Sequence, residues 1–270
     1  MMWSIYIIGC CFLFGLVIGS FLNVVIYRIP RDLSIIRPPS SCPTCHRLIK
    51  PWENIPILSY VFILRGHCAG CGSPISLQYP VVEAFTGILF ALVGWRFGGS
   101  FQTLVFIAFT AILIVLSVID LQTRLLPDVI VLPGLLTACL LAVMTLHPKG
   151  AACWSTTVSK AFFGMAAGGL PLLLLAWGYL KLTGREGMGG GDIKLMFFIG
   201  ALLGPGKVLL TLFIGSLVGA VAGSIALKLA HGDRHTQIPF GPFLSGAAWI
   251  SMMWGDGIIR SYLMFSDLAG

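Results

Sequence analysis

The segment from Phe106 to Asp120 reads FIAFTAILIVLSVID, an almost wholly apolar run that ends in a carboxylate. Similar runs recur along the chain of 270 residues, of which 57% are hydrophobic and only 10% are charged. Soluble domains have about a quarter of their residues charged, because their surfaces face water. The composition therefore predicts an all-α polytopic membrane protein.

Eight apolar runs are candidate transmembrane helices, since a helix needs about 20 apolar residues to cross a bilayer. The run that ends in Asp120 is the third. The sixth is short for a full span, so we expect it to tilt, to thin the bilayer locally or to begin in a glycine-lined cavity. The first has neither a basic segment before it nor a small-residue cleavage motif, which predicts a retained anchor. The eight runs are 4–27, 80–97, 101–121, 126–146, 157–181, 193–206, 207–230 and 240–259.

The positive charge of the chain lies in the loops between these runs. The net charge is +7, but the sequence has no basic helix and no basic–aromatic patch of the kind that binds nucleic acid, so no nucleic-acid partner is expected. Of the 17 Lys and Arg residues, twelve fall on one side of the predicted membrane and five on the other. Because cytoplasmic loops are enriched in Lys and Arg, we predict a cytosolic 28–79 loop and periplasmic N- and C-termini.

The 28–79 loop is the one sizeable polar insert, and it contains two C-x2-C pairs. Cys42 and Cys45 form CPTC, and Cys68 and Cys71 form CAGC, with 22 residues between the pairs. Two such pairs can complete a tetrahedral Zn²⁺ site, in which four thiolates leave no open position for chemistry. The spacing predicts a small zinc-knuckle-like insert with a structural metal. Four reduced thiols without a metal are the alternative.

Two acidic residues fall where apolar runs begin or end. Asp120 closes the third run, and Asp192 opens the sixth, directly after Gly189, Gly190 and Gly191. In the predicted topology both lie near the cytosolic membrane surface, where an ionisable residue at the edge of a helix bundle points to function. Two carboxylates that approach closely share one proton. Such a pair can activate a water and protonate a leaving amine, as in aspartic proteases.

Each of these aspartates also has a structural alternative. Asp192 could be an N-cap, with its carboxylate accepting free helix N–H groups. Asp120 could pair with Arg124, four residues further along. Asp128, after Pro127, is interpreted as a first-turn helix acid. The glycines before Asp192 favour the catalytic hypothesis, because they let a substrate backbone come close.

These residues and their order resemble the type IV prepilin peptidases, the bifunctional leader peptidase/N-methyltransferases of the GxGD class of intramembrane aspartic proteases. The similarity runs along nearly the whole chain. IDLQTRLLPD (Ile119–Asp128) resembles the segment of the first catalytic aspartate, which places that role on Asp120, and GMGGGDIKL (Gly187–Leu195) places the second on Asp192. The other similar segments are GSFLNVVIYRIP (Gly19–Pro30), ENIPILSY (Glu53–Tyr60), LRGHCAGC (Leu64–Cys71), ISLQYPVVE (Ile75–Glu83) and IPFGPFL (Ile238–Leu244).

The resemblance implies a bacterial inner-membrane enzyme that acts on type IV prepilins or on type II secretion pseudopilins. It would cut their short basic leader on the cytosolic side, after a glycine. It would then methylate the new N-terminal residue with S-adenosylmethionine. The active-site loop would comprise Gly189, Gly190, Gly191 and Lys194.

The resemblance also divides the chain by role. Residues 1–27 would form the first span, 28–79 the zinc-binding loop and methyltransferase region, and 80–270 the multi-span peptidase core. The sequence has no Rossmann fingerprint for a methyl donor. We therefore expect the donor to bind at the cytosolic loop, with Glu53 or Glu83 as partners. Glu83 also fits the structural role of an acid at a helix start.

Functions of other classes compete with this hypothesis. A proton- or cation-coupled transporter would also use intramembrane aspartates and a glycine-rich break, although no inverted repeat is visible. A membrane scaffold with a zinc-knuckle docking loop would account for the cysteines but would leave both aspartates unexplained. The chain has no G-x-S-x-G and no H-E-x-x-H motif, so serine and metalloprotease mechanisms are unsupported.

Overall fold

The structure is a computed structural model that describes residues 2–146, 154, 156–184, 189–229 and 239–269. Within these residues the fold is all-α, as predicted, and contains isolated β-bridges but no strand. Among the described residues, short 3₁₀ and π-helical turns occur only in the 28–79 loop. The helices are α1 (Met2–Arg28), α2 (Gln78–Phe97), α3 (Phe101–Thr123), α4 (Asp128–Met144), α5 (Val158–Thr183), α6 (Gly190–Leu203), α7 (Pro205–Leu229) and α8 (Gly241–Ala269).

Five helices among the described residues are long and apolar enough to cross a membrane, namely α1, α2, α3, α5 and α7. A multi-span membrane protein is thus confirmed, while the count of eight spans stays a prediction. The break between the sixth and seventh predicted spans lies at Gly204 rather than after residue 206, because Gly204 adopts a φ of 81°. Pro205 then opens α7 at a position where a proline costs no hydrogen bond.

The chain divides into two compact units, Met1–Val115 and Leu116–Gly270. The boundary falls inside α3, so that the last turns of this helix, with Asp120, belong to the second unit. The sequence analysis divided the chain after residues 27 and 79 by the expected role of each part rather than by compact units. That division stays a prediction.

In the first unit, α1 and α2 cross so closely that their backbones contact each other. A Cβ atom added at Gly15 would lie 2.7 Å from the Cα of Gly87, and one added at Gly19 would lie 2.7 Å from the Cα of Glu83. Small residues four apart on one helix commonly allow such close crossing in membranes. The crossing places Glu83 directly against α1.

In the second unit, α6 is the central helix and contacts α4, α5, α7 and α8. Its crossing with α5 also depends on glycines, because a Cβ at Gly164 would overlap the carbonyl oxygen of Gly200. A Cβ at Gly168 would lie 2.7 Å from the oxygen of Met196. This packing fixes the position of the helix that carries Asp192.

Candidate functional site

Asp120 lies in the last turn of α3 and is buried, with 5% of its surface exposed. Its Oδ2 atom accepts a hydrogen bond of 2.9 Å from the backbone N–H of Gly241, the first residue of α8. The alternative pairing with Arg124 does not occur, because among the ion pairs of the described residues none joins these two side chains. Arg124 is exposed, and its backbone N–H closes the helix end on the carbonyl of Asp120.

Asp192 is the third residue of α6 and is half-buried. The N-cap of this helix is Gly189, and its backbone carbonyl accepts the N–H of Asp192 at 3.2 Å. Asp192 is therefore a first-turn acid rather than the N-cap considered from the sequence. The first two residues of the glycine motif, Gly187 and Met188, lie outside the described residues.

Asp120 and Asp192 act on each other electrostatically, and we call them the aspartate pair. The start of α6 lies against the segment between α3 and α4, where a Cβ added at Gly191 would lie 2.8 Å from the Cβ of Leu126. In this arrangement the carboxyl of Asp120 is close enough to act electrostatically on that of Asp192. Added Cβ atoms at Gly189 and Gly190 would meet nothing within 4 Å, so this side of the motif is open.

Lys194, expected in the active-site loop, forms an ion pair that the sequence did not indicate. Its Nζ atom lies 2.8 and 2.7 Å from the two carboxylate oxygens of Asp128. Asp128 is the first residue of α4, as interpreted from the sequence. The bridge thus ties the start of α4 to the N-terminal half of α6. Both side chains are about half exposed, so the ion pair contributes little to the stability of the folded protein.

The four cysteines of the 28–79 loop converge into one group, which we call the cysteine cluster. The Sγ atoms of Cys42 and Cys71 are 3.8 Å apart, those of Cys45 and Cys68 are 3.9 Å apart, and all four lie within 4.8 Å of one another. Four sulfurs around a tetrahedral Zn²⁺ are about 3.8 Å apart, for Zn–S bonds of about 2.3 Å. The donor set and its spacing are compatible with zinc.

The two C-x2-C turns have the same backbone conformation. In the first, the N–H of His46 donates to the carbonyl of Cys42 at 2.9 Å, and in the second the N–H of Gly72 donates to that of Cys68 at 2.8 Å. His46 and Gly72 both have left-handed φ values, 57° and 71°. The two C-x2-C segments therefore form the same type of metal-knuckle turn. No histidine belongs to the metal-ligating group found among the described residues.

The thiols of the cluster differ in the direction in which their pKa is shifted. The backbone N–H groups of Cys45 and Thr44 lower the pKa of the Cys42 thiol to about 5. The pKa of Cys45 is raised to about 11, because burial and the other three sulfurs outweigh the N–H of Arg47. Four thiolates this close repel one another, and a divalent cation is the kind of charge that stabilises them together.

Glu53, a candidate partner of the methyl donor, makes structural contacts within the 28–79 loop. It is 8% exposed, and its Oε2 atom accepts the backbone N–H of Lys50 at 3.0 Å and the guanidinium of Arg47 at 2.6 Å. The N–H of Lys50 and the charge of Arg47 lower the pKa of this carboxyl. Because Arg47 is only two residues beyond Cys45, the ion pair joins the first knuckle to the following turn.

Glu83, the other candidate, is also buried, with 6% of its surface exposed. Its carboxylate accepts the backbone N–H of Ile57 at 2.8 Å and a hydrogen bond from the hydroxyl of Ser20. Ile57 has a φ of 60°, a rare value for a β-branched residue, and the bond to Glu83 holds it there. Glu83 thus connects α1, α2 and the loop.

A cavity of about 510 Å³ lies in the first unit, and we call it the loop cavity. It is bounded by one face of α1 and by two segments of the 28–79 loop, 35–40 and 51–56. Its polar lining side chains are those of Ser20, Arg28, Ser40 and Asn54. Ser20 joins this cavity to Glu83. The volume is within the range of small-molecule sites, about 300–1,000 Å³.

A helical membrane bundle with two adjacent aspartates at helix ends has the groups of an intramembrane aspartic peptidase. The comparison with protein families agrees: residues 107–224 match the type IV leader peptidase family, and residues 13–97 match the bacterial peptidase A24 N-terminal domain. The chain therefore belongs to the type IV leader peptidase family.

Curated relatives match the chain over nearly its whole length. The prepilin leader peptidase/N-methyltransferase of Pseudomonas aeruginosa is 38% identical over 280 aligned residues, which cover 95% of this chain and 93% of the relative. The enzyme of the same name from Aeromonas hydrophila is 39% identical, with 93% and 92% covered, and that of Neisseria gonorrhoeae is 37% identical, with 92% and 90% covered. No solved structure gives a significant match.

Proposed function

We propose that this protein is a bifunctional enzyme of the bacterial inner membrane that removes the leader of prepilins or pseudopilins and then N-methylates the new N-terminus. The observation that supports peptidase activity best is the aspartate pair. It stands at the ends of two helices of one compact unit, in a chain whose relatives carry the name prepilin leader peptidase/N-methyltransferase. A transporter would need a path across the membrane for its proton or cation, and no observation on the described residues favours one.

In the proposed cleavage step, a water held between Asp120 and Asp192 attacks the carbonyl carbon of the last leader residue. One aspartate, ionised, takes a proton from the water, and the other, protonated, gives its proton to the amide nitrogen. The C–N bond then breaks, which releases a carboxyl end and an amine end. Gly189 and Gly190 would admit the substrate backbone, since the space beside them is open.

The orientation of the chain in the membrane is part of this proposal. The 28–79 loop and the aspartate pair would face the cytosol, where the leader is located, and both termini would face the periplasm. The predicted inner loops are basic, so charge would not attract a basic leader. Recognition would then depend on the apolar substrate helix packing among the spans, and cleavage would depend only weakly on salt.

We propose that the cysteine cluster binds a structural Zn²⁺. Two of the sulfur–sulfur distances, 3.8 and 3.9 Å, match those of a tetrahedral zinc site, and four thiolate ligands would leave no coordination position open for a reactive water. The metal would close the two knuckles on each other and hold the loop beside the end of α1.

We propose the loop cavity as the binding site of S-adenosylmethionine, which supplies an electrophilic methyl group when bound. The cavity has room for a nucleoside, apolar walls for its base and one cation, Arg28, for its carboxylate. The guanidinium of Arg28 is held in place by the carbonyls of Ser34 and Pro38, at 2.8 and 2.7 Å. Glu83 would act through Ser20, and Glu53 would only support the loop.

The proposal is tested by purifying the protein in detergent and supplying a prepilin and S-adenosylmethionine. Expected products are a shortened pilin and, by mass, one added methyl group on it. Proton-dependent solute uptake in liposomes, with no cleavage of any prepilin or pseudopilin, would instead establish the transporter.

A further inference from the structure

We infer that Gly241 is a positioning residue for the peptidase reaction, because its backbone N–H holds Oδ2 of Asp120 and its lack of a side chain leaves room for that carboxylate. The inference rests on the proposed function. It adds a third segment, the start of α8, to a site that the sequence placed on two segments only.

The contact is direct and buried. The amide nitrogen of Gly241 is 2.9 Å from Oδ2 of Asp120, and both residues are buried. A Cβ added at residue 241 would lie 2.7 Å from that oxygen and 3.1 Å from the carboxyl carbon. Real Cβ atoms do not come this close to an oxygen, so any other residue would displace the carboxylate or the helix start.

The N–H group comes from the free end of a helix. Phe243 and Leu244 donate to the carbonyl of Phe240, so that Gly241 is the first residue of α8 and its N–H has no partner inside the helix. Such an N–H carries the positive end of the helix dipole and binds an ionised carboxylate more strongly than a neutral one.

This contact separates the roles of the two oxygens of Asp120. Oδ2 accepts the N–H of Gly241 with a lone pair, which disfavours a proton on that oxygen. Oδ1 is left to hold the attacking water and to take its proton. The bond favours the ionised form of Asp120, which makes Asp120 the base of the pair and Asp192 the member that holds the proton.

Other charged groups around Asp120 are few among the described residues. Asp192 on α6 is a like charge on which Asp120 acts electrostatically. Asp128 at the start of α4 is paired with Lys194, and Arg124 at the end of α3 is exposed. The first turn of α8 carries no acid. The N–H of Gly241 is therefore the near group that favours the charge on Asp120.

The test compares Gly241→Ala with Gly246→Ala, on the same helix, where an added Cβ meets nothing within 4 Å. In Gly241→Ala we expect kcat for leader cleavage to fall roughly 100-fold, as for a displaced catalytic group, with KM nearly unchanged. The acid limb of the pH–rate profile moves to higher pH, because a base that has lost its donor binds a proton more readily. Gly246→Ala keeps wild-type values.

A second variant removes the N–H donor of Gly241 without filling the space beside it, and it serves if Gly241→Ala does not fold. Gly241→glycolic acid, made by nonsense suppression, replaces the N–H with an ester oxygen and adds no atom. It should show the same shift of the acid limb while methylating a pre-cleaved pilin at the wild-type rate. Wild-type kcat and an unmoved acid limb in this variant would overturn the inference, even when the wild-type protein cleaves prepilin. A wild-type protein without cleavage would instead overturn the proposed function.

Discussion

The two buried glutamates of the first unit, Glu53 and Glu83, have different surroundings from the aspartate pair of the second unit. Glu53 accepts a guanidinium and a backbone N–H, and Glu83 accepts a backbone N–H and a hydroxyl. Asp120 accepts one N–H. For Asp192, the described residues give no side-chain hydrogen bond at all.

A carboxylate whose lone pairs are already taken by fixed donors is a structural anchor. One with free lone pairs can hold a water and exchange a proton. The difference indicates that Glu53 and Glu83 hold the loop in place, whereas Asp120 and Asp192 remain available for chemistry.

Asp120→Asn and Asp192→Asn should each lower leader cleavage by at least about 10³-fold, because an amide neither accepts nor gives the proton that hydrolysis needs. Both variants should still methylate a pre-cleaved pilin. Cleavage is followed by gel shift with purified protein. Asp128→Asn is the matched control: it removes a neighbouring carboxylate whose exposed ion pair is worth about 0.2–1 kcal/mol, so cleavage should stay near wild type. Cleavage at the wild-type rate by either of the first two variants would refute the mechanism.

Cys42→Ser combined with Cys71→Ser should remove the zinc, since two thiolates cannot hold it as four do. Metal analysis should then find no zinc in place of one per chain, and methyl transfer should be lost with the shape of the loop. Leader cleavage should survive within about tenfold, because the aspartate pair belongs to the other compact unit. Cys139→Ser, outside the cluster, is the control. Zinc at one per chain in the double variant would mean that the cluster is not its site.

Ser20→Ala should weaken binding of S-adenosylmethionine about tenfold, as loss of a hydrogen bond in a binding site does. Binding is measured by photo-crosslinking or calorimetry, so the result does not depend on activity. Ser100→Ala, an exposed serine of the same unit away from the loop cavity, should bind normally. Equal crosslinking of both variants would place the methyl donor elsewhere.

Glu53→Gln should lower the melting temperature by roughly 2–4 °C at neutral pH, for the loss of about 1 kcal/mol. The folded state lowers the pKa of Glu53, so its contribution is fully present above the unfolded pKa and disappears as pH falls through the folded value. The gap between wild type and variant should therefore be constant from pH 6 to 8 and close in acid. A gap that widens in acid would contradict the ion pair with Arg47.

Several features could be predicted from the sequence because they are local. The spacing of Cys42, Cys45, Cys68 and Cys71 indicated one cluster, and the apolar runs indicated the helices. The pairing of Asp120 with Asp192 was expected because the charge count put both helix ends on one side of the membrane. Their catalytic roles stay predictions, supported by the geometry.

The contacts that the sequence did not indicate join residues far apart in the chain. Gly241 binds a carboxylate 121 positions away, and Lys194 pairs with an acid 66 positions away. Neither contact joins residues three or four positions apart, so the helical repeat of the sequence could not indicate it. The close helix crossings at Gly19 and Gly164 could have been found from glycines four residues apart, a spacing that favours close packing in membranes.

Helix α6, with 14 residues, is shorter than the about 20 residues that usually cross a bilayer, and this length bears on where the substrate is cut. Its 14 residues extend about 21 Å, and nine of them are buried by the surrounding helices. We therefore expect the depth of Asp192 in the membrane to be set by protein rather than by lipid. We expect an apolar substrate helix to align against these helices, so that the position of the cut bond does not change with the acyl-chain length of the membrane.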